Sequence, residues 1–166
     1  MEENNQNLDE IIGRPHKGVH FLLFLSYSIF LFAVVLGVIF DIIIPSNFFS
    51  NILFKNIGII MIFVGSVFVY WAQSTSGNYQ EEKAILKNKT FFDRGPYQYH
   101  RQPTHLGLFA MTLGLAFIIN SVFSVIFTFF AYIITKFFFI KKEEKILEKK
   151  YGDVYLEYKK KVKNWI

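Results

Sequence analysis

The chain has 166 residues, of which 52% are hydrophobic, 19% are aromatic and only 19% are charged. The apolar residues stand in unbroken runs rather than in periodic stripes, which excludes a water-soluble domain, a coiled coil and a disordered protein. The sequence has no cysteine, which excludes disulfides, thiolate metal sites and cysteine nucleophiles. We therefore expect an integral membrane protein built from helices.

The first two charge-free stretches each predict one membrane-spanning helix. The first stretch, from Val19 to Phe40, contains 22 residues. As a helix it would reach roughly 33 Å, enough to cross a hydrocarbon core of about 30 Å. A cleaved signal peptide is the competing interpretation, but the acidic residues that precede the stretch disfavour it. The second stretch runs from Asn56 to Gln80.

The third charge-free stretch, from Gln102 to Thr135, is too long for a single span. Its 34 residues would reach roughly 51 Å as one helix. Asn120 and Ser121 lie at its centre and predict a turn between two helices. The predicted fold class is therefore all-α, with four transmembrane helices whose third and fourth members form a hairpin. The predicted spans are about 19–44, 57–73, 103–119 and 122–140.

The positive charges test this count independently, because membrane proteins collect lysine and arginine on the cytosolic side. Four spans place two cations before Val19, five in segment 74–102 and nine from Lys141 onward, all on one side. The opposite side holds Lys55, and Lys136 lies near the inner end of the last span. We predict cytosolic termini, a polar tail over 1–18 and one membrane domain over 19–166, in the plasma membrane of a prokaryote.

The residues after the last span follow a helical pattern. Lysines alternate with apolar residues that recur at steps of three and four, namely Leu147, Tyr151, Val154, Tyr155, Tyr158, Val162 and Trp165. The pattern predicts a basic amphipathic helix over 141–166, bent near Gly152, on the inner membrane surface. Its charge favours membrane lipids as partners, and no nucleic-acid-binding motif accompanies it.

Small residues recur on the second and third predicted spans. They are Gly58, Gly65 and Ala72 on the second span, and Gly107, Ala110 and Gly114 on the third. Small side chains let helices approach closely in lipid. We therefore predict tight helix packing at these positions, and they are no evidence for a cofactor site.

The segment Gly95–Gly107, with the sequence GPYQYHRQPTHLG, is the most specific part of the chain. Pro103 suits the first turn of a helix, so the amides of Thr104 to Gly107 are expected to be free to bind a carboxylate or phosphate. His100 and His105 resemble a metal-binding pair, but no third ligand is near them in sequence. We therefore expect no metal site.

At these residues the chain resembles the isoprenylcysteine carboxyl methyltransferases and their relatives among the membrane phospholipid methyltransferases. Their motif Gly-x-Tyr, followed after a few residues by Arg-His-Pro-x-Tyr-x-Gly, is similar to Gly95–Gly107. Their second motif, a Glu-Glu pair followed by Leu, Tyr-Gly and paired tyrosines, is similar to Glu143–Tyr158. The two motifs cover most of 91–162, whereas the N-terminal spans match only as generic membrane helices.

The resemblance implies transfer of a methyl group from S-adenosyl-L-methionine to a lipid-soluble acceptor at the cytosolic membrane face. The carboxylate of a prenylated cysteine is the default acceptor of the family, and an amino lipid is the alternative. The implied catalytic residues are Glu143, which corresponds to the glutamate that faces the substrate, and Arg101. The implied cofactor contacts are Lys89, Thr90, Phe91, Phe92, Tyr97, Gln102, Pro103, Thr104, His105 and Glu144.

Three positions depart from the family pattern. Gln102 stands where the motif has His, and His105 stands where it has Tyr. Phe139 stands where the family places a basic residue one turn before the Glu pair. The cation nearest to that position in the sequence is Lys141, two residues before Glu143. Two other functions stay open: an NADPH-dependent membrane reductase of the steroid reductase type, disfavoured by the Glu-Glu tail, and a non-catalytic membrane protein.

Reporter fusions test the predicted topology. The charge distribution predicts that a reporter fused after Ile119 lies outside the cytosol, whereas a reporter fused at Ile166 lies inside it. Alkaline phosphatase and green fluorescent protein activities of matched fusions measure the two locations. Finding both fusion points on the same side would exclude the transmembrane hairpin.

Overall fold

The computed structural model describes the chain over residues 2–45, 48–82 and 94–162. Within these residues every regular element is helical, which confirms the predicted all-α fold class. The elements are α1 (Glu2–Ile43), α2 (Ile52–Glu82), a 3₁₀ turn (Gly95–Gln98), α3 (Pro103–Ile118), α4 (Val122–Ile134), a π-helical segment (Thr135–Ile140), α5 (Lys141–Tyr151) and α6 (Asp153–Lys161).

Three of the helical stretches are long and apolar enough to cross a membrane: Phe21–Ile43, Ile52–Ser76 and Val122–Lys149. Helix α3 is also apolar but has only 16 residues, about 24 Å. Helix α1 begins at Glu2, so the predicted polar tail continues directly into the first stretch. Large apolar side chains such as Phe24, Phe63 and Phe130 remain exposed around the bundle. Such a surface is typical of a multi-pass membrane protein.

Helix α3 occupies the middle of the bundle, between α2 on one side and α4 on the other. Helix α1 packs mainly on α4 and also touches α3. Phe30 and Ala33 of α1 meet Leu108 of α3 and Tyr132 of α4 in a buried apolar cluster. This cluster holds α1, α3 and α4 around one core, next to the buried polar residues described below.

Glycines allow α2 and α3 to pack closely, as the sequence predicts. A Cβ atom at Gly58 would lie 2.5 Å from the carbonyl oxygen of Gly114, and one at Gly65 would lie 2.7 Å from that of Gly107. Real side-chain carbons do not approach backbone so closely, so these positions admit only glycine without movement of a helix. The predicted tight packing at these small residues is therefore confirmed.

The turn between α3 and α4 falls where the sequence predicts it. Asn120 adopts a left-handed backbone conformation with a φ of 58°. The Ser121 hydroxyl accepts a hydrogen bond of 2.9 Å from the Ser124 N–H and so caps α4. The same hydroxyl donates to the carboxylate of Asp41. These bonds fasten the hairpin to the end of α1.

Helix α4 and the first part of the tail form one continuous helix as far as Tyr151. The π-helical segment connects α4 to α5 without a break. Buried residues recur at steps of three and four up to Thr135, but the next buried residue is Ile140, five positions later. The segment thus shifts the register of the buried face by one residue. As a result Glu143 and Glu144 continue the buried face of α4.

The tail is interrupted at Gly152, which has a φ of 54° and separates α5 from α6 as predicted. The apolar face of the tail was expected to lie on the inner membrane surface, but its residues contact different surroundings. Tyr155 and Tyr158 are buried inside the protein, with exposed fractions of 1% and 4%, whereas Val154 and Leu156 are exposed. The tyrosines of the tail therefore pack on the protein itself rather than on the membrane surface.

A methyl group added at Gly65 tests the contact between α2 and α3. We expect Gly65→Ala to lower the free energy of unfolding by about 1–3 kcal/mol, because its Cβ would clash with backbone and overpack the contact. Val64→Leu is the control, because it adds a methylene group at an exposed neighbouring position. Thermal unfolding in detergent measures both variants, and equal effects would contradict the proposed contact.

Candidate functional site

The loop before α3 is fixed on both of its sides. Gly95 has a φ of 56° and lies against α2, where an added Cβ would come within 2.5 Å of the Thr75 hydroxyl. On the other side, the Tyr158 hydroxyl of α6 donates a hydrogen bond of 2.6 Å to the carbonyl oxygen of Tyr97. The 3₁₀ turn is therefore held between the end of α2 and the tail.

In this loop Tyr97 is partly buried and His100 is buried. Burial raises the pKa of the Tyr97 phenol, and a hydrogen bond with Ser76 acts in the opposite direction. Burial lowers the pKa of His100, and the adjacent positive charge of Arg101 acts in the same direction. The His100 Nδ1 atom accepts a hydrogen bond of 3.0 Å from the Gln102 N–H, which requires a free lone pair on that nitrogen.

The start of α3 leaves fewer free amides than the sequence predicts. Pro103 is the first helical residue and has no N–H. The Leu106 N–H already bonds to the Gln102 carbonyl at 3.3 Å, and Gly107 has Pro103 as its helical acceptor. Within the described chain, the amides of Thr104 and His105 remain without a backbone acceptor. The expected anion-binding helix start is therefore reduced from four amides to two.

Helix α5 brings the predicted glutamates to this helix start. Glu143 and Glu144 have exposed fractions of 7% and 9%. Glu144 forms ion pairs with Arg101, 3.1 Å from Nη1 to Oε1, and with Lys159 of α6, 3.0 Å from Nζ to Oε2. Lys159 also donates a hydrogen bond of 2.8 Å to Glu148. The hydrogen bonds to Glu148 and Glu144 raise the pKa of Lys159.

His105 faces Glu143 and α1. Its Nδ1 atom lies 3.9 Å from Oε2 of Glu143, and its Nε2 atom lies 3.2 Å from the Ser26 hydroxyl of α1. The ring has an exposed fraction of 1%. The buried site therefore draws on α1, the loop, α3 and α5, and α6 adds a cation at its edge.

Several buried polar atoms of this site have no hydrogen-bond partner among the described residues. They are His100 Nε2, Arg101 Nε and Nη1, Gln102 Nε2, His105 Nδ1, Glu143 Oε2 and Glu144 Oε1. The Arg101–Glu144 contact is close enough for an ion pair but lacks hydrogen-bond geometry. Apart from this ion pair, each buried polar group without a partner costs about 1–3 kcal/mol, so a ligand with both donors and acceptors would be stabilised here.

The structure brings most of the predicted site residues together. Arg101, Gln102, Pro103, Thr104 and His105 lie at the start of α3, all buried or nearly so, and Tyr97 lies in the adjoining turn. Glu143 and Glu144 approach them from α5. The predicted cofactor contacts Lys89, Thr90, Phe91 and Phe92 lie outside the described residues. Among the side chains described, no group of three or more His, Asp or Glu residues could hold a metal ion.

Two residues of the site were missed from the sequence. Ser26 was read as part of an apolar span, although it shares a helical face with Leu22 and Phe30, and this spacing was the available signal. Lys159 belongs to the lysines on the polar faces of the predicted amphipathic tail, and no local signal distinguishes it from its neighbours Lys160 and Lys161. Arg101 and Lys159 are therefore the cations that form ion pairs with Glu144, whereas Lys141 lies over the ring of Phe137.

The fold and the site define a multi-pass helical membrane protein with a cluster of buried polar residues at one end of its bundle. The family model of the phospholipid methyltransferases, PEMT, matches residues 53–154, more than half of the chain. The chain therefore belongs to this family, which confirms the resemblance seen in the two motifs. Family membership implies methylation of a lipid-type acceptor with S-adenosyl-L-methionine. Neither the comparison with curated proteins nor the comparison with solved structures gives a match.

The hydrogen bond between the tail and the loop can be tested by a single substitution. We expect Tyr158→Phe to lower the free energy of unfolding by about 0.5–1.5 kcal/mol, because it removes the bond to the Tyr97 carbonyl and keeps the ring. Tyr99→Phe is the matched control, because Tyr99 is exposed in the same loop. Thermal unfolding in detergent compares the two, and a Tyr158→Phe variant as stable as the control would contradict this attachment.

Proposed function

We propose that the protein transfers a methyl group from S-adenosyl-L-methionine to an amine-bearing lipid, at the cytosolic end of a four-span bundle. The observation that carries the proposal is the set of unpaired buried donors and acceptors at the start of α3 and on α5. These groups occur in a chain of the phospholipid methyltransferase family, at the motif positions. The positive charges of the loop and tail support a cytosolic site, where a water-soluble cofactor is available.

The residues of the site fit this cofactor chemically. The amides of Thr104 and His105 suit its carboxylate, and Glu144 suits its amino group. Gln102 Nε2 offers a donor without a partner in the described chain, and Tyr97 and Pro103 border the same region. Lys89, Thr90, Phe91 and Phe92 are proposed as further contacts from the family motif. When bound, the cofactor supplies a methyl group on a sulfonium sulfur, which leaves as a neutral thioether.

The acceptor is argued from the charges at the site. An amine must lose a proton before it can attack a methyl group, whereas a carboxylate needs no base. Glu143 Oε2 and His105 Nδ1 are buried acceptors without partners, which supports an amine. Arg101 supports the second candidate, the carboxylate of a prenylated cysteine, because its guanidinium is positively charged and its Nε atom has no hydrogen-bond partner in the described chain. In that case Arg101 would bind the acceptor directly, and Glu143 would have no proton to take.

The residues around the site are proposed to act mainly by aligning the methyl donor with the acceptor and by excluding water. Methyl transfer needs donor and nucleophile in line, and the burial of Gln102, Thr104 and His105 keeps water from the reacting atoms. A lipid-borne acceptor would enter between the helices from the bilayer. The two substrates then reach the same site from different sides.

Calorimetric titration of the purified protein in detergent tests the cofactor. We expect binding of S-adenosyl-L-methionine and none of NADPH. NADPH binding alone would favour a reductase, and binding of neither would favour a non-catalytic membrane protein.

Substitutions in the loop locate the cofactor site. We expect Gln102→Ala to weaken cofactor binding by about 1–2 kcal/mol, through the loss of one hydrogen bond in a buried site, and Gln102→His to be nearly neutral. Tyr97→Ala and Glu144→Ala should weaken binding too. The control is Gln98→Ala, an exposed residue of the same loop. Unchanged affinity in all three alanine variants at Tyr97, Gln102 and Glu144 would place the cofactor elsewhere.

A further inference from the structure

Ser26, His105 and Glu143 form a buried line across three helices. The Ser26 hydroxyl of α1 lies 3.2 Å from His105 Nε2 of α3, and His105 Nδ1 lies 3.9 Å from Glu143 Oε2 of α5. Ser26 is completely buried, and His105 has an exposed fraction of only 1%. Neither Ser26 nor the pairing of these three residues belongs to the two sequence motifs.

The contacts of Ser26 bear on which nitrogen of the neutral His105 ring carries the proton. A hydroxyl has one proton to donate, and the Ser26 hydroxyl lies 3.0 Å from the carbonyl oxygen of Leu22 in its own helix and 3.2 Å from His105 Nε2. When this proton is donated to the Leu22 carbonyl, the contact with Nε2 is a hydrogen bond only if Nε2 carries a proton and donates it. In that tautomer the other nitrogen, Nδ1, has the free lone pair, and this lone pair faces Glu143.

The gap between His105 and Glu143 lacks a donor. Nδ1 and Oε2 have no hydrogen-bond partner in the described chain, and 3.9 Å is too long for a direct hydrogen bond between them. In the tautomer with the proton on Nε2, and with Glu143 ionised, both atoms are acceptors. Two acceptors placed this way attract a group that carries protons. A primary ammonium has several N–H donors and a positive charge, and so it satisfies both.

We propose that His105 Nδ1 is the proton acceptor for the ammonium group of the methyl acceptor, and that Ser26 is a positioning residue that holds the required tautomer. The inference rests on the proposed methyltransferase function, and it names the general base that removes the proton from the acceptor. His105 is then a catalytic residue through its side chain, while its backbone amide serves the cofactor carboxylate.

The proton step balances as follows in atoms and charge. The N–H bond of the ammonium breaks and its proton bonds to Nδ1, which gives an imidazolium and a neutral amine. The freed electron pair on nitrogen forms the new N–C bond to the methyl group, and the electrons of the C–S bond go to sulfur. The methylated nitrogen and His105 each end with one positive charge. Glu143, 3.9 Å from Nδ1, stabilises the imidazolium before the proton returns to solvent.

The position of Ser26, His105 and Glu143 indicates which ammonium group binds between His105 and Glu143. It favours the ammonium of the methyl acceptor over the amino group of the cofactor. Ser26 lies in the first apolar stretch, Phe21–Ile43, and Glu143 lies in the last, Val122–Lys149, so the gap lies between helices long enough to cross a membrane. Glu144, with Arg101 and Lys159, lies on the side of the loop and the tail. Ser26 itself is no nucleophile, because it is completely buried and its proton is bonded to a carbonyl oxygen.

Transfer of a labelled methyl group to lipid in vesicles tests the base. The vesicles contain phosphatidylcholine and either an ethanolamine-headgroup phospholipid or the same lipid with an aminooxy head group, an amine that is uncharged at neutral pH. We expect His105→Gln to lower kcat on the ethanolamine lipid at least about a hundredfold, with little change in KM. Glutamine can keep the bond to Ser26 but cannot take a proton. The aminooxy lipid, which needs no base, should restore kcat to within about threefold of the native protein.

The positioning role of Ser26 is tested by its own variants. We expect Ser26→Ala to lower kcat about fivefold to tenfold, as for the loss of one hydrogen bond, and Ser26→Thr, which keeps the hydroxyl, to restore it. Ser28→Ala is the matched control, because Ser28 makes the same kind of bond to a carbonyl oxygen four residues earlier but faces outward. Nitrogen NMR of ¹⁵N-labelled histidine should show a bare Nδ1 at His105 in the native protein and a mixture of tautomers in Ser26→Ala.

The outcomes separate this inference from the proposed function. Calorimetric binding of S-adenosyl-L-methionine verifies that each variant is folded. Native kcat in His105→Gln, a protonated Nδ1 in the native protein, or methylation of a prenylcysteine carboxylate but of neither amine lipid would each overturn the inference and leave methyl transfer standing. Failure of the native protein to bind the cofactor or to methylate any of these acceptors would overturn both.

Discussion

Two adjacent carboxylates, Glu143 and Glu144, are buried in an otherwise apolar bundle. The arrangement of the site depends on the charged and polar groups that offset the cost of burying them. A buried charge without a partner costs several kcal/mol, so each carboxylate has to be met by groups from elsewhere in the chain. Glu144 is met by Arg101 from the loop and by Lys159 from α6. Glu143 faces His105 of α3, which Ser26 of α1 holds in place. The two glutamates on one turn of α5 thus contact groups from four other elements: the loop, α6, α3 and α1.

The π-helical segment is what brings this turn of α5 to the site. A regular α-helix would continue the buried face of α4 at steps of three and four. The five-residue step from Thr135 to Ile140 advances the face by one residue, so that Glu143 and Glu144 lie inward. Such one-turn π segments occur often at functional sites, where they reposition a side chain without interrupting the helix. Phe139, which replaces the basic residue of the family motif, lies within this segment. The cations that approach the Glu pair come instead from the loop and α6.

In the proposed reaction the site divides into two sides with different chemistry. Arg101, Glu144 and the start of α3 lie toward the loop and the tail, where a water-soluble cofactor would arrive. Ser26, His105 and Glu143 lie between the membrane helices, on the route of a lipid. The tail also contributes, because Tyr155 and Tyr158 pack inward and Tyr158 holds the loop through the Tyr97 carbonyl. A basic helix that the composition alone would assign to the membrane surface is therefore part of the wall of the site.

The sequence by itself determined the elements that depend on local properties. Uninterrupted apolar runs defined the helices, Asn120 and Ser121 defined the turn between α3 and α4, and small residues marked where α2 and α3 touch. The motif residues from Arg101 to His105, with Glu143 and Glu144, identified the family, and they account for most of the buried polar cluster of the candidate site. Only the tertiary structure decided the placement of Ser26 and Lys159, the register shift before α5 and the inward packing of the tail tyrosines. Ser26 and His105 lie 79 positions apart, and no local pattern encodes a contact that forms only when separate helices pack together.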